Sequence, residues 1–225
     1  MATIQNHFPR PLRASRAVRP IPKSSKGHFV GELVFNRGNV RQRMGYGSML
    51  EHDASLCMIY RPGFADLEEQ LAPVMFTDVD GSRHKHFFDF RLTETTGRKI
   101  CISVKPEEIA RTEVYKAQIA AVKRAAIGSI CHAVATITER NIAPDVLHNA
   151  KLYHAARDPE PELDAEVHSK LHLIVGPTPI GDFLEQIGVG GAGFFSMARA
   201  IRFGHAHLFT PGKIRSETLV SAEAA

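Results

Sequence analysis

The chain has 225 residues, 44% of them hydrophobic, enough for one full domain and a smaller one. Three scattered cysteines (Cys57, Cys101, Cys131) without a C-x-x-C pair exclude a disulfide framework and a cysteine zinc site. No run is apolar enough to span a membrane and the N-terminus has no signal core, so a cytoplasmic protein is expected. The net charge of +4 is uneven: residues 1–26 carry six basic groups and no acid, whereas the rest carries 22 basic and 24 acidic groups.

Residues 1–26 therefore read as a basic arm. Arg10, Arg13, Arg16 and Arg19 recur every third residue among prolines. Polyproline II has three residues per turn, so an extended arm aligns all four guanidinium groups, a suitable track for a DNA backbone or minor groove; the competing account is a disordered, solvated tail. His28 to Phe35 predicts a short strand, followed by a polar turn over Asn36 to Asn39. Ser48-x-x-Glu51 is a capping box opening a helix from Ser48 to Arg61, stopped by Pro62-Gly63. Glu69 to Asp78 predicts a strand that Pro73 confines to an edge.

Phe87 to Leu92 and Lys99 to Pro106 alternate with period two, and Gly97 lies between them, so the two runs predict a hairpin. In the first run Phe88, Phe90 and Leu92 are expected on the core face, with Asp89 and Arg91 on the other. In the second, Ile100, Ile102 and Val104 are expected in the core, and Ser103 and Lys105 opposite. A turn centred near Thr96 sets Asp89 across from Ser103, with Cβ atoms roughly 5 Å apart. A carboxylate and an ammonium then share one polar face, and His84 and His86 flank it. A carboxylate holds a hard dication through oxygen, and a neighbouring lysine stabilises developing charge, so the pattern suits phosphodiester hydrolysis. The competing account of the hairpin is a surface Asp–Lys pair of little energetic weight.

Pro106-Glu107-Glu108 opens a helix to Ile127, ended by Gly128. Ser129 to Thr138 predicts a further core strand, and Pro144 to Arg157 a helix. The order from Ser48 is helix, three strands, helix, strand. This predicts an α/β protein with a restriction-endonuclease-like mixed sheet flanked by helices over residues 27–157. Residues 158–166, charged and containing prolines, read as a linker. Residues 167–225 read as a small winged-helix-like or docking domain: helices near Pro179–Ile187 and Gly193–Phe203, then a strand pair about Pro211-Gly212. Arg199 and Arg202 are expected on the outer face of the second helix, in reach of DNA. The G-x-G-x-x-G at Gly188 to Gly193 follows a helix rather than a strand, so a dinucleotide site is rejected. His168 and His172 have helical metal spacing but no third ligand in view.

Five elements in order resemble the N-terminal domain of TnsA-type transposon endonucleases: Gly47-Ser48-Met49-Leu50-Glu51, Leu67-Glu68-Glu69-Gln70, His86-Phe87-Phe88-Asp89-Phe90, Ile102-Ser103-Val104-Lys105-Pro106, and Thr138-Glu139 with Asn149. The resemblance covers Gly47 to Arg157. It implies a Mg²⁺- or Mn²⁺-dependent DNA endonuclease in which Glu51, Asp89 and Lys105 are catalytic. Glu51 and Asp89 hold metal, Ser103 contributes a further oxygen, and Lys105 orients the water. It also implies a place in a transposition machine, nucleoid-associated when bound to DNA, with a transposase and an ATPase regulator as partners. The pattern departs at Ser103, where the family carries glutamine or glutamate, and at Phe88, where related nucleases carry proline. The alternative is a catalytically lapsed DNA-binding or docking module on the same fold.

Overall fold

A computed structural model describes residues 11–19, 29–78 and 80–222, and the chain divides into two compact units, Met1–Asn141 and Ile142–Ala225. Both are built from helices and sheets. Among the described residues no helix is long and apolar enough to cross a membrane.

The first unit opens with β1 (Leu12–Arg13), which pairs parallel with β3 (Val40–Tyr46); β3 pairs antiparallel with β2 (Gly31–Arg37). The β2–β3 turn contains Gly38 at φ +54°, a conformation glycine adopts without steric cost. Helix α1 (Met49–Ile59) starts at Ser48, whose hydroxyl accepts from the Glu51 N–H at 3.1 Å, as its capping box predicts. Strand β4 (Phe64–Glu69) is followed by a separate hairpin, β5 (Val74–Thr77) with β6 (Arg83–His86). Then come β7 (Phe90–Glu94) and β8 (Lys99–Val104), helices α2 (Glu107–Ala110) and α3 (Glu113–Ala126), and β9 (Ala133–Ile137). The main sheet runs β4-β7-β8-β9, antiparallel except for the parallel β8–β9 pair joined through α3.

The β7–β8 register pairs Phe90 with Ile102 and Arg91 with Cys101, which puts Asp89 across from Ser103 as read from the sequence. The expected solvated face of this hairpin is corrected. Cys101, Ile102, Ser103 and Val104 are all buried, because β8 is an inner strand and both of its faces are covered. Phe88 is corrected as well. The chain bends at Asp89 and sends Phe88 into the cluster of Cys101, Tyr115, Ile119 and Val122, whereas Phe90 and Leu92 continue the strand alternation. The α3 residues Tyr115, Ile119, Val122 and Ala126 recur at three- and four-residue spacing and form the apolar face that covers Cys101.

Strand β4 was not foreseen, since its acid-rich sequence lacks the apolar alternation of a strand. Arginines neutralise it: Arg91 binds Glu68 through Nε and Nη2 (2.8 and 2.9 Å), and Arg16 forks onto Asp66 (2.8 Å twice). Such paired, bidentate contacts compensate carboxylates held in a sheet.

The second unit contains α4 (Pro144–Ala155), α5 (Pro161–Lys170), β10 (Thr178–Pro179), α6 (Ile180–Gln186), α7 (Phe194–Arg202), β11 (His207–Leu208) and β12 (Leu219–Ser221). Its sheet order is β10-β12-β11, all antiparallel. Phe183, Leu184, Met197, Ile214 and Val220 form its core. The Gly190–Gly193 turn joins two helices, and a Cβ on Gly193 would meet Val189 at 2.6 Å and Leu184 at 2.8 Å. This glycine run is thus a packing device. Helix α4 belongs to this unit, and the expected linker 158–166 is largely the start of α5, with proline at its first position.

The linker's acids have a buried partner. Arg199 is 7% exposed, and its guanidinium donates to Asp164, Glu160, Ser196 and the carbonyls of Ala156 and Asp158. Its expected position on an outer, DNA-facing surface is therefore corrected: α7 turns Arg199 inward onto the start of α5. Arg202 is half-buried, with its guanidinium 5.3 Å from the centroid of the Phe203 ring.

Candidate active site

Glu51, Asp89 and Lys105 arrive from three elements: the first turn of α1, the residue before β7, and the residue after β8. All three lie in one electrostatic neighbourhood. Burial pushes the Glu51 carboxyl above its ordinary range. The Gly47 N–H opposes this, the Asp89 charge adds to it, and Ser48 and Lys105 oppose it. Burial likewise raises Asp89, which is 7% exposed, against the opposing effects of Lys105, the Val104 N–H, Arg19 and Gln70. Glu51 serves the helix start and also lies within electrostatic reach of the hairpin. Its carboxylate reaches back to the Gly47 N–H at 2.8 Å, and it senses Asp89 and Lys105.

Backbone donors fix the two acids. Asp89 Oδ2 accepts from the Val104 N–H at 2.8 Å, and the Asp89 N–H donates to the Ile102 carbonyl at 3.0 Å. The sheet register thus orients the carboxylate. Lys105 is half-buried and ties its own N–H to the Ile137 carbonyl at 3.0 Å, in continuation of the β8–β9 pairing.

Ser103 is fully buried, and its hydroxyl lies 2.9 Å from His86 Nε2. The Tyr115 hydroxyl lies 2.9 Å from Thr136 Oγ1, on the strand residue paired with Ser103. Two polar pairs, His86–Ser103 and Tyr115–Thr136, therefore sit side by side across the β8–β9 pairing. Burial, reinforced by the Lys105 charge, lowers His86 from 6.5 to about 4, so its ring is neutral at physiological pH. The Ser103 hydroxyl is thus buried and committed to His86. His84 is exposed and tilted against Phe76 at 5.6 Å.

Gln70 is the residue whose importance the sequence pattern concealed. It has φ +44°, the only non-glycine residue at positive φ among those described, and it is 4% exposed. Such a backbone costs about 1–3 kcal/mol and persists only where its surroundings over-determine it. Here they do. The Gln70 N–H donates to the Asp89 carbonyl (2.8 Å), the Gln70 carbonyl accepts from the Val18 N–H (3.1 Å), and its side-chain oxygen accepts twice from Arg19. The only sequence signal was its place at the end of Leu67-Glu68-Glu69-Gln70.

The arm differs from its expected form. Arg10 lies outside the described residues, as do Lys23 and Lys26. Arg13 is exposed on β1. Arg16 and Arg19 do not project as a free polyproline track, because the acidic β4 and Gln70 bind them. Arg16 is held by Asp66 and the Leu67 carbonyl (2.7 Å), and Arg19 donates to Gln70 Oε1 through Nε (3.1 Å) and Nη2 (2.6 Å).

The Glu51 and Asp89 carboxylates are desolvated oxygens of like charge, a donor set that fits a hard dication completed by water or substrate oxygens. A separate grouping, Asp78, Asp80 and His84, has ligand atoms within 4.8 Å of one another at the β5–β6 turn. Two of its members are exposed and Asp80 already accepts from the Ser82 N–H at 2.8 Å, so it is a weak and nonspecific place for an ion. Of the remaining motif residues, Glu139 accepts from the Glu107 N–H at 3.0 Å. Asn149 pins α4 to the Gly212 carbonyl and the Ile214 N–H, each at 2.8 Å. Compared with known proteins, the chain matches no family model and no curated protein.

Proposed function

We propose that the chain is a Mg²⁺- or Mn²⁺-dependent DNA endonuclease of restriction-endonuclease-like architecture, working as TnsA-type enzymes do within a transposition machine alongside a transposase and an ATPase regulator. The observation that carries this reading is the meeting of Glu51, Asp89 and Lys105, with both carboxyls raised by burial. Perturbed acids beside a lysine are a functional-site signature. The α1, β4-β7-β8, α3, β9 order with the acids at the β7–β8 end supports the architecture.

A dication bound by Glu51 and Asp89 supplies Lewis-acid polarisation of the phosphoryl group and a more acidic water. The chain's own residues do the rest. Val104 and Gly47 fix the two carboxylates through their N–H groups. Lys105 holds a positive charge beside them, where it orients the attacking water and stabilises charge developing on the phosphate. His86, neutral and tied to Ser103, adds no competing positive charge.

For the second unit, the order two helices, strand, two helices, two strands, with the first strand beside the last, supports a winged-helix-like reading. Ser196 to Ala200 of α7 are buried and Arg199 is committed internally, which favours protein docking over base reading by that helix.

Nicking of supercoiled plasmid with Mn²⁺ tests the main reading. Asp89→Ala and Lys105→Ala are each expected to lower the rate roughly 100- to 1000-fold. Asp89→Ala is also expected to lose Mn²⁺ binding by calorimetry, while Lys105→Ala retains it. A wild-type chain that neither binds Mn²⁺ nor nicks DNA leaves the docking-module reading in its place.

A further inference from the structure

Residues Ser15 to Arg19 are strapped onto the end of the main sheet. Ser15 donates to Glu69, Arg16 forks onto Asp66, and the Val18 N–H donates to the Gln70 carbonyl at 3.1 Å. The strap ends at Arg19, whose guanidinium lies 5.1 Å from the centroid of the Phe87 ring and donates twice to Gln70 Oε1. The Gln70 N–H in turn donates to the Asp89 carbonyl at 2.8 Å. Arg19 is nevertheless exposed. A guanidinium has five N–H donors, and Gln70 takes two, which leaves three for a ligand.

We infer that Arg19 is a phosphate-contacting residue of the active site, delivered by the N-terminal strap and aimed by Gln70 and Phe87 at the scissile phosphate beside Asp89. The inference rests on the endonuclease reading and deepens it. A planar guanidinium with donors to spare suits bidentate contact with phosphate oxygens. A stacked, doubly bonded arginine is oriented before substrate arrives, which is the condition under which such a donor favours the transition state. The over-determined backbone of Gln70 then has a purpose: one residue holds both the Asp89 backbone and the guanidinium.

The test uses the full chain, supercoiled plasmid and Mn²⁺, with single-turnover nicking at saturating protein. Arg19→Ala is expected to slow nicking roughly 100-fold, with melting temperature and plasmid affinity unchanged. Arg19→Lys is expected to be as slow, because an ammonium cannot make the paired bonds to Gln70. Ethylguanidinium is expected to restore part of the Arg19→Ala rate and none of the Asp89→Ala rate. Three results overturn the inference: an Arg19→Ala rate within about twofold of wild type, a loss that follows a lowered melting temperature, or a loss that ethylguanidinium does not relieve. In each of these the endonuclease reading survives, because wild type nicks and Asp89→Ala does not. A wild-type chain that fails to nick overturns both.

Discussion

The surroundings of Arg199 in the second unit and of Asp89 in the first contain similar ingredients, arginine, carboxylate and amide, in opposite states of satisfaction. Arg199 is buried and donates through all three nitrogens, to two carboxylates, a hydroxyl and two carbonyls. Asp89 is equally buried, yet its carboxyl is raised, because its partners do not offset the loss of water. A saturated buried charge holds a fold together. An under-compensated one is a place where something else belongs. Arg19, unlike both, is exposed, and its side chain donates to a single amide oxygen.

The largest test of the comparison is at Arg199. Arg199→Ala strands Asp164 and the Ala156 and Asp158 carbonyls, and removal of one partner from a buried ion pair costs about 3–5 kcal/mol. The α5–α7 packing is expected to loosen, seen as a lowered urea midpoint and faster amide exchange in α5. Arg199→Lys is expected to recover little, since one ammonium cannot span these acceptors. A variant as stable as wild type would remove the distinction between the two regions.

The second test is the acid response of His86. Its pKa falls from an ordinary 6.5 to about 4 in the folded chain, so between these values the unfolded state binds the proton and the native state does not. Stability is therefore lost as pH falls from 6.5 toward 4, by about 3 kcal/mol in all. His86→Gln keeps a partner for Ser103 and removes the titration. Its urea midpoint is expected to change less than that of wild type between pH 7 and pH 4.5. Equal acid sensitivity in the two chains would mean that His86 is not held neutral beside Lys105.

The sequence disclosed what local pattern governs. The Ser48 cap, the β7–β8 register that sets Asp89 against Ser103, and the β7, β8, helix, β9 succession all follow from periodicity, capping and turn residues. It concealed what distant partners decide. Arg16 and Arg19 look like a phosphate track until Asp66 and Gln70, some 50 positions away, take hold of them. Arg199 looks like an outer residue of an amphipathic helix until the acids of α5, some 35 positions back, draw it inward. Phe88 follows the strand alternation in sequence, and a bend at Asp89 reverses its face. No propensity marks Gln70 for positive φ, because its neighbours impose that conformation.

The smallest expected effect is the most direct reading of Asp89. A raised carboxyl means that the native state holds its proton more tightly than the unfolded chain does. Stability therefore falls as pH rises from the ordinary value of 3.8 through the folded value, and above it the full cost of the buried charge is carried. Asp89→Asn removes the charge and keeps an oxygen for the Val104 N–H. At pH 7.5 without metal the variant is expected to be more stable by about 1 kcal/mol, as when a strained active-site group is relieved. At pH 3 the two chains are expected to converge, because the wild-type carboxyl is then protonated. Added Mn²⁺ is expected to raise the melting temperature of wild type and leave the variant unmoved, which narrows or reverses the gap. A less stable Asn variant at pH 7.5 would put Asp89 in the same class as the carboxylates around Arg199, a structural anion with its partners in place, and would withdraw the acid on which the endonuclease reading depends.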